Sequence, residues 1–144
     1  MRLWHKDLIP YLPRQQLLGQ WRECCCIAKN IAEKGTPNHI LVNKIMDYPI
    51  EHFEAYCTLV ILTMRKRGYK IDTERLYQYS RINSLNVNLK HTNSIVDTKN
   101  IFQNWHNYHY MLQCFYNLQE KYDCGSVPEE EWKIFSAGFD KLFY

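Results

Sequence analysis

The chain has 144 residues, one domain's worth of polypeptide, and its 46% hydrophobic and 15% aromatic content can fill a core, which excludes an intrinsically disordered protein. Only 5 Gly and 5 Pro, with no internal period, exclude collagenous, low-complexity and repeat classes. The net charge of +3 is uneven: residues 1–70 carry 11 Lys/Arg against 6 Asp/Glu and residues 71–144 carry 7 against 9, so the basic half suits a polyanion such as nucleic acid.

The longest apolar stretch, Tyr56 to Met64, is about half the ~20 residues that a membrane span needs. The opening Met1-Arg2-Leu3-Trp4-His5-Lys6-Asp7 has no apolar run of a signal peptide, so a cytoplasmic protein without membrane contact is expected. In that setting the six cysteines read as thiols, mostly small buried hydrophobes; no Cys-x-x-Cys pair begins a zinc site.

The first long helix is expected between Pro13 and Gly35. Leu17, Trp21, Cys24, Ala28 and Ile31 form its buried stripe, with Gln15, Gly19, Arg22, Cys26 and Lys29 opposite. A second helix reads from Pro49 to Arg67, closed by Gly68, with Ile50, Phe53, Tyr56, Cys57, Val60, Ile61 and Met64 inward. It ends on Arg65-Lys66-Arg67, a cluster that either stabilises the last helical turn or contacts phosphate. A short helix over Glu74 to Tyr79 and a polar, Asn-rich loop over Arg81 to Lys99 follow. A third long helix is expected from Asn104 to Tyr122, burying Tyr108, Met111, Leu112, Phe115 and Leu118. Beyond Pro128, Glu129-Glu130-Glu131 opens a short C-terminal helix with the aromatic tail Trp132, Phe135, Phe139, Phe143 and Tyr144. No strand pattern is present, so the fold class is mainly α: a single compact domain, residues 1–144, of three long helices, a short C-terminal helix and long loops.

Phosphate-cradling, nucleophile-elbow, zinc-helix and dinucleotide signatures are all absent. His106 and His109 stand i, i+3 on the expected third helix and, with His52, are the residues on which a helical metal-dependent hydrolase would be built. Arg22-Glu23 is by periodicity an ordinary surface pair.

Leu12, Gln15, Leu17 and Arg22-Glu23, at these distances from the start, resemble the pyrimidine-dimer DNA glycosylases of the phage endonuclease V type. Lys66-Arg67-Gly68-Tyr69 resembles that family's ending of its second long helix, His106 the histidine just before its third, and Trp132 with Phe135 its aromatic tail. Met1-Arg2-Leu3-Trp4-His5 and the run Leu12 to Gln20 look closer still to a bacterial branch. The resemblance implies a metal-free, cofactor-free glycosylase and abasic-site lyase, monomeric and nucleoid-associated, acting on damaged double-stranded DNA. The family's nucleophile is an α-amine that attacks C1′ and forms a Schiff base; α-amines as a class titrate near ~7.7–8.0 and suit that task. The family exposes a threonine amine, whose position is Arg2 here, so the amine expected to react is that of Met1, with Glu23 as acid/base and Arg22 holding a phosphate or a flipped-out base. The family's second arginine corresponds to Cys26 and a substrate-contacting histidine to Gln16. DNA contacts are expected from Arg2, Arg14, Gln15, Lys29, Arg65, Lys66, Arg67 and His106. The other reading is a DNA-binding relative that has the fold without the nucleophile.

Overall fold

The computed structural model describes residues 1–77 and 98–143. Among them the chain is helical, without a strand. A 3-10 turn, Lys6–Tyr11, leads into α1, Arg14–Lys34; a second 3-10 turn, Asn43–Asp47, leads into α2, Ile50–Lys66; α3 is the short Glu74–Tyr77, α4 is Tyr108–Asp123 and α5 is Glu129–Lys141. Most of the expected loop over Arg81 to Lys99, and the end of the expected helix at Tyr79, lie outside the described residues.

The helix ends follow local chemistry. Pro13, Pro49 and Pro128 each stand immediately before a helix, with extended ψ. Gly68 takes φ +81°, the left-handed region that ends a helix cleanly, and lets the Tyr69 N–H reach the Met64 carbonyl at 3.0 Å. The third long helix begins four residues later than its periodicity suggests. Phe102 and Asn104 have φ +52° and +72°, which α-helix excludes, and Asn107 caps the helix by accepting from the Tyr110 N–H at 2.9 Å. This shift moves Tyr108 to the surface, 60% exposed, and puts Tyr110 and Cys114 into the core instead.

α1 packs on α2, and α2 and α5 both pack on the Lys6–Tyr11 turn. None of the six cysteines is in a disulfide; Cys24, Cys25, Cys57 and Cys114 are buried among the apolar side chains, while Cys26 and Cys124 are exposed. In α5, Phe135 is fully buried and Phe139 stacks on Phe115 at 4.2 Å between ring centres, so this part of the aromatic tail is core. Gly138 is where α5 meets the Tyr11 ring: a Cβ there would lie 2.2 Å from Cγ of that ring.

The leading segment runs through the interior, with Leu3, Trp4, His5 and Lys6 all buried. Extended backbone in such a place needs partners for its polar groups, and side chains supply them. Glu23 accepts the Arg2 N–H at 3.0 Å, and Gln20 donates to the Arg2 carbonyl at 3.1 Å while accepting from the Trp4 N–H at 2.8 Å. From α2, the Tyr56 hydroxyl donates to the Trp4 carbonyl at 2.6 Å; from α4, the Tyr110 hydroxyl donates to the Leu3 carbonyl. His106, in the turn before α4, accepts the Lys6 N–H on Nδ1 at 3.0 Å. Burial pushes both phenols well above the ordinary tyrosine range, keeping them protonated donors.

His5 and His106 are held neutral. Burial, then the charges of His5 and Lys6, lower His106 to about 2. Burial lowers His5 to about 4 against the opposing pull of Asp7. Among the described residues His106 Nε2 has no hydrogen-bond partner; it faces rings, including Trp105 edge-on at 4.8 Å between centres.

Two outcomes follow from this packing. Gly138→Ala forces the Tyr11 ring away and should destabilise the protein by about 1–3 kcal/mol, the cost of overpacking; in a Tyr11→Ala background the same change should be neutral or stabilising, as thermal melts of the four proteins will show. Because both histidines are depressed in the fold, the unfolded chain takes up protons first as pH falls below 6.5. Stability is therefore complete above that value and lost on acidification by up to about 1.4 kcal/mol per pH unit for each histidine. Urea midpoints between about pH 7 and 5 should fall steeply, with a shallower slope for His106→Gln; a flat profile would contradict neutral burial.

Candidate active site

Glu23 is half-buried on α1, and its Oε2 points back at the first peptide bond, where the Arg2 N–H holds it at 3.0 Å. One residue along, Arg22 is exposed. Both line an open cavity of about 430 Å³, together with Gln15 and Gln16 one to two turns earlier on the same helix. Gly19 belongs to this wall, and the space where its Cβ would stand is empty. The glycine that weakens α1 as a helix thus keeps the cavity wall low. Trp4 and Lys121 close the far side, with the Lys121 ammonium 5.9 Å from the Trp4 ring centre. Among the described residues the lining holds one carboxylate, two cations and amide side chains, a setting for a phosphate-bearing ligand.

The expected residues divide. Gln15, Arg22 and Glu23 share the cavity. Met1 is half-buried and packs against the core, one residue beyond the peptide nitrogen that holds Glu23. The Arg2 side chain turns to a second cavity of about 330 Å³, its guanidinium 4.0 Å from the Cys114 sulfur. Lys29, Arg65 and Lys66 are exposed but line neither cavity. The Arg14 guanidinium lies over the Tyr69 ring at 5.1 Å, and its backbone N–H donates to Glu131 at 2.7 Å.

Two of the expected residues have partners within the fold. Arg67 donates to the Pro10 carbonyl at 2.9 Å, so its guanidinium ties the end of α2 to the turn before α1. His106 is 7% exposed and accepts the Lys6 N–H, so it supports the leading segment. The metal-hydrolase arrangement also fails. His106 precedes the helix that carries His109, His109 is exposed, and His52 Nδ1 accepts the Phe102 N–H at 2.9 Å. Among the described residues no three His, Cys, Asp or Glu side chains are grouped to hold a metal, and no helix is long and apolar enough to cross a membrane.

Sequence reasoning passed over Gln20, Tyr56, Tyr110 and Lys121. Gln20 carried a signal: a glutamine three residues after Leu17 and four before Cys24 sits on the apolar stripe, where a polar side chain needs a buried partner. Lys121 carried none, since its place depends on how α4 packs.

A search of curated proteins and a search of solved structures return no match. A family model described as pyrimidine dimer DNA glycosylase matches residues 1–77, which hold the buried leading segment, Gln20, Arg22, Glu23 and Tyr56. With more than half of its 144 residues matched, the chain belongs to the pyrimidine dimer DNA glycosylase family.

Proposed function

We propose that the protein is a DNA repair glycosylase and abasic-site lyase that works through an α-amine Schiff base, with Glu23 as its acid/base. The observation that carries this reading is the 3.0 Å hydrogen bond from the Arg2 N–H to the Glu23 carboxylate. The amine of Met1 stands no more than about 3.6 Å further along the chain, close enough for amine and carboxylate to meet the same sugar. The amine attacks C1′ of the damaged nucleotide as the glycosidic bond breaks and the base departs with its electron pair; the C1′–O4′ bond then opens, O4′ taking the proton that the amine gives up, which leaves the Schiff base, and on an abasic sugar the amine condenses with the aldehyde and water leaves. Glu23 stabilises the positive charge that develops on the sugar, then takes a proton from C2′ so that the 3′ phosphate is eliminated. Arg22 and Lys121 hold the phosphates on either side, and Gln15 and Gln16 meet the strand from the first turns of α1. The exposed cations Arg14, Lys29, Arg65 and Lys66 add sequence-independent attraction to duplex DNA.

A second reading, a DNA-binding relative without lyase chemistry, is favoured by one feature of the same bond. The nitrogen that touches Glu23 belongs to a peptide, and a peptide nitrogen is not nucleophilic.

Borohydride trapping on an abasic oligonucleotide separates the two. The glycosylase reading predicts a covalent adduct that persists in EDTA, maps to the peptide bearing the first residue, and falls by at least about 100-fold in Glu23→Gln. Intact mass establishes whether that residue is Met1. Duplex binding that weakens steeply with salt but yields neither adduct nor strand cleavage would support the second reading and overturn the first.

A further inference from the structure

Between α1 and α2 two adjacent aliphatic side chains stand in solvent: Ile40 is 84% and Leu41 51% exposed. A single exposed aliphatic residue needs no explanation, but this pair is adjacent and rigidly presented. The His39 carbonyl accepts the Val42 and Asn43 N–H groups at 3.0 and 2.9 Å, and Asn43 Oδ1 accepts the His39 N–H at 3.0 Å. His39 Nδ1 accepts the Leu41 N–H at 3.2 Å, and Asn38 turns the chain at φ +60°. Val42 and Ile45, both buried, fasten the turn to the core. Every local device therefore works to hold two apolar side chains in water.

Their surroundings indicate what they meet. Ile40 and Leu41 line the 330 Å³ cavity with Arg2, Lys44, Trp105 and His109, and among the described residues the lining contains no carboxylate. The same Arg2 supplies the N–H that holds Glu23. An apolar tip flanked by cations and joined through one residue to the proposed reacting pair matches a polyanion with an apolar interior, which is stacked duplex DNA. A protein partner would cover the tip but would leave Arg2 and Lys44 without an acidic counterpart on this surface.

We propose that Ile40 and Leu41 form a wedge that enters the base stack beside the lesion, with Arg2 and Lys44 on the flanking phosphates. Wedges of this kind unstack a base step, and the wider surface that a bent duplex lays against the protein offsets the cost. The proposal rests on the DNA-repair reading, and its test is arranged so that either can fail alone.

The probe is a duplex with a tetrahydrofuran abasic analogue, which cannot form a Schiff base, flanked by 2-aminopurine, whose fluorescence rises when it unstacks. The intact protein should raise that fluorescence several-fold, the double variant Ile40→Ser/Leu41→Ser should lose at least about nine-tenths of the rise at saturating protein, and Ile40→Met/Leu41→Met should retain it. Since both side chains lie outside the core, the Ser variant should melt with the parent. It should also trap single-stranded abasic DNA as the parent does, because there is no stack to open, while trapping duplex abasic DNA at least about tenfold more slowly. Undiminished fluorescence and duplex trapping in the Ser variant overturn the wedge and leave the lyase reading standing. Fluorescence that depends on Ile40 and Leu41 in a protein that traps neither substrate supports the wedge and overturns the lyase.

Discussion

The structure depends on the capture of its leading segment by side chains. The stretch ahead of the first 3-10 turn crosses the interior, and among the described residues no strand pairs with it; Gln20, Glu23, Tyr56, His106 and Tyr110 take the place of one. These groups come from α1, α2, α4 and the turn before α4, so the segment is bound much as a peptide ligand would be, at the junction of all the long elements except α5. Buried polar groups are costly when half satisfied. The network is one that removal of any member would leave with an orphaned backbone group.

That arrangement links fold to chemistry. A chain start is ordinarily the most mobile part of a domain, a poor place for a reacting group that must be positioned to about 1 Å. Here the start is anchored at Arg2, Trp4 and Lys6, and one anchor is the carboxylate proposed as acid/base. Glu23 is thus oriented by the backbone it would assist. Arg2 touches both neighbourhoods: its peptide nitrogen is held by Glu23, which lines the first cavity, and its side chain lines the second with Ile40 and Leu41. A lesion held at Arg2 would meet the carboxylate and the wedge together.

Much of this is legible in the residues. Helices α1, α2 and α5 fall where proline, glycine and apolar spacing place them, because those signals act over a turn or two. Glu23 and Arg22 emerge from resemblance, since nothing in local periodicity distinguishes them from a surface ion pair. The start of α4 is hidden because the breaking signal is the pair of left-handed residues Phe102 and Asn104, neither of them glycine. A helix extended across that break carries His106 beside His109 and suggests a metal pair that the fold does not make. The partners of the leading segment are hidden for a different reason: a tyrosine in an apolar stripe looks the same in sequence whether its hydroxyl meets water or a carbonyl 52 residues away, as that of Tyr56 does.

The most direct test of the central claim is amide hydrogen exchange, followed by NMR, at Arg2, Trp4 and Lys6. If these N–H groups are held by Glu23, Gln20 and His106, they will exchange only when the core opens, at rates near those of the most protected amides in α2. Exchange at the rate of an unstructured peptide would show a frayed chain start, and with it neither the amine nor the wedge would have a fixed relation to Glu23.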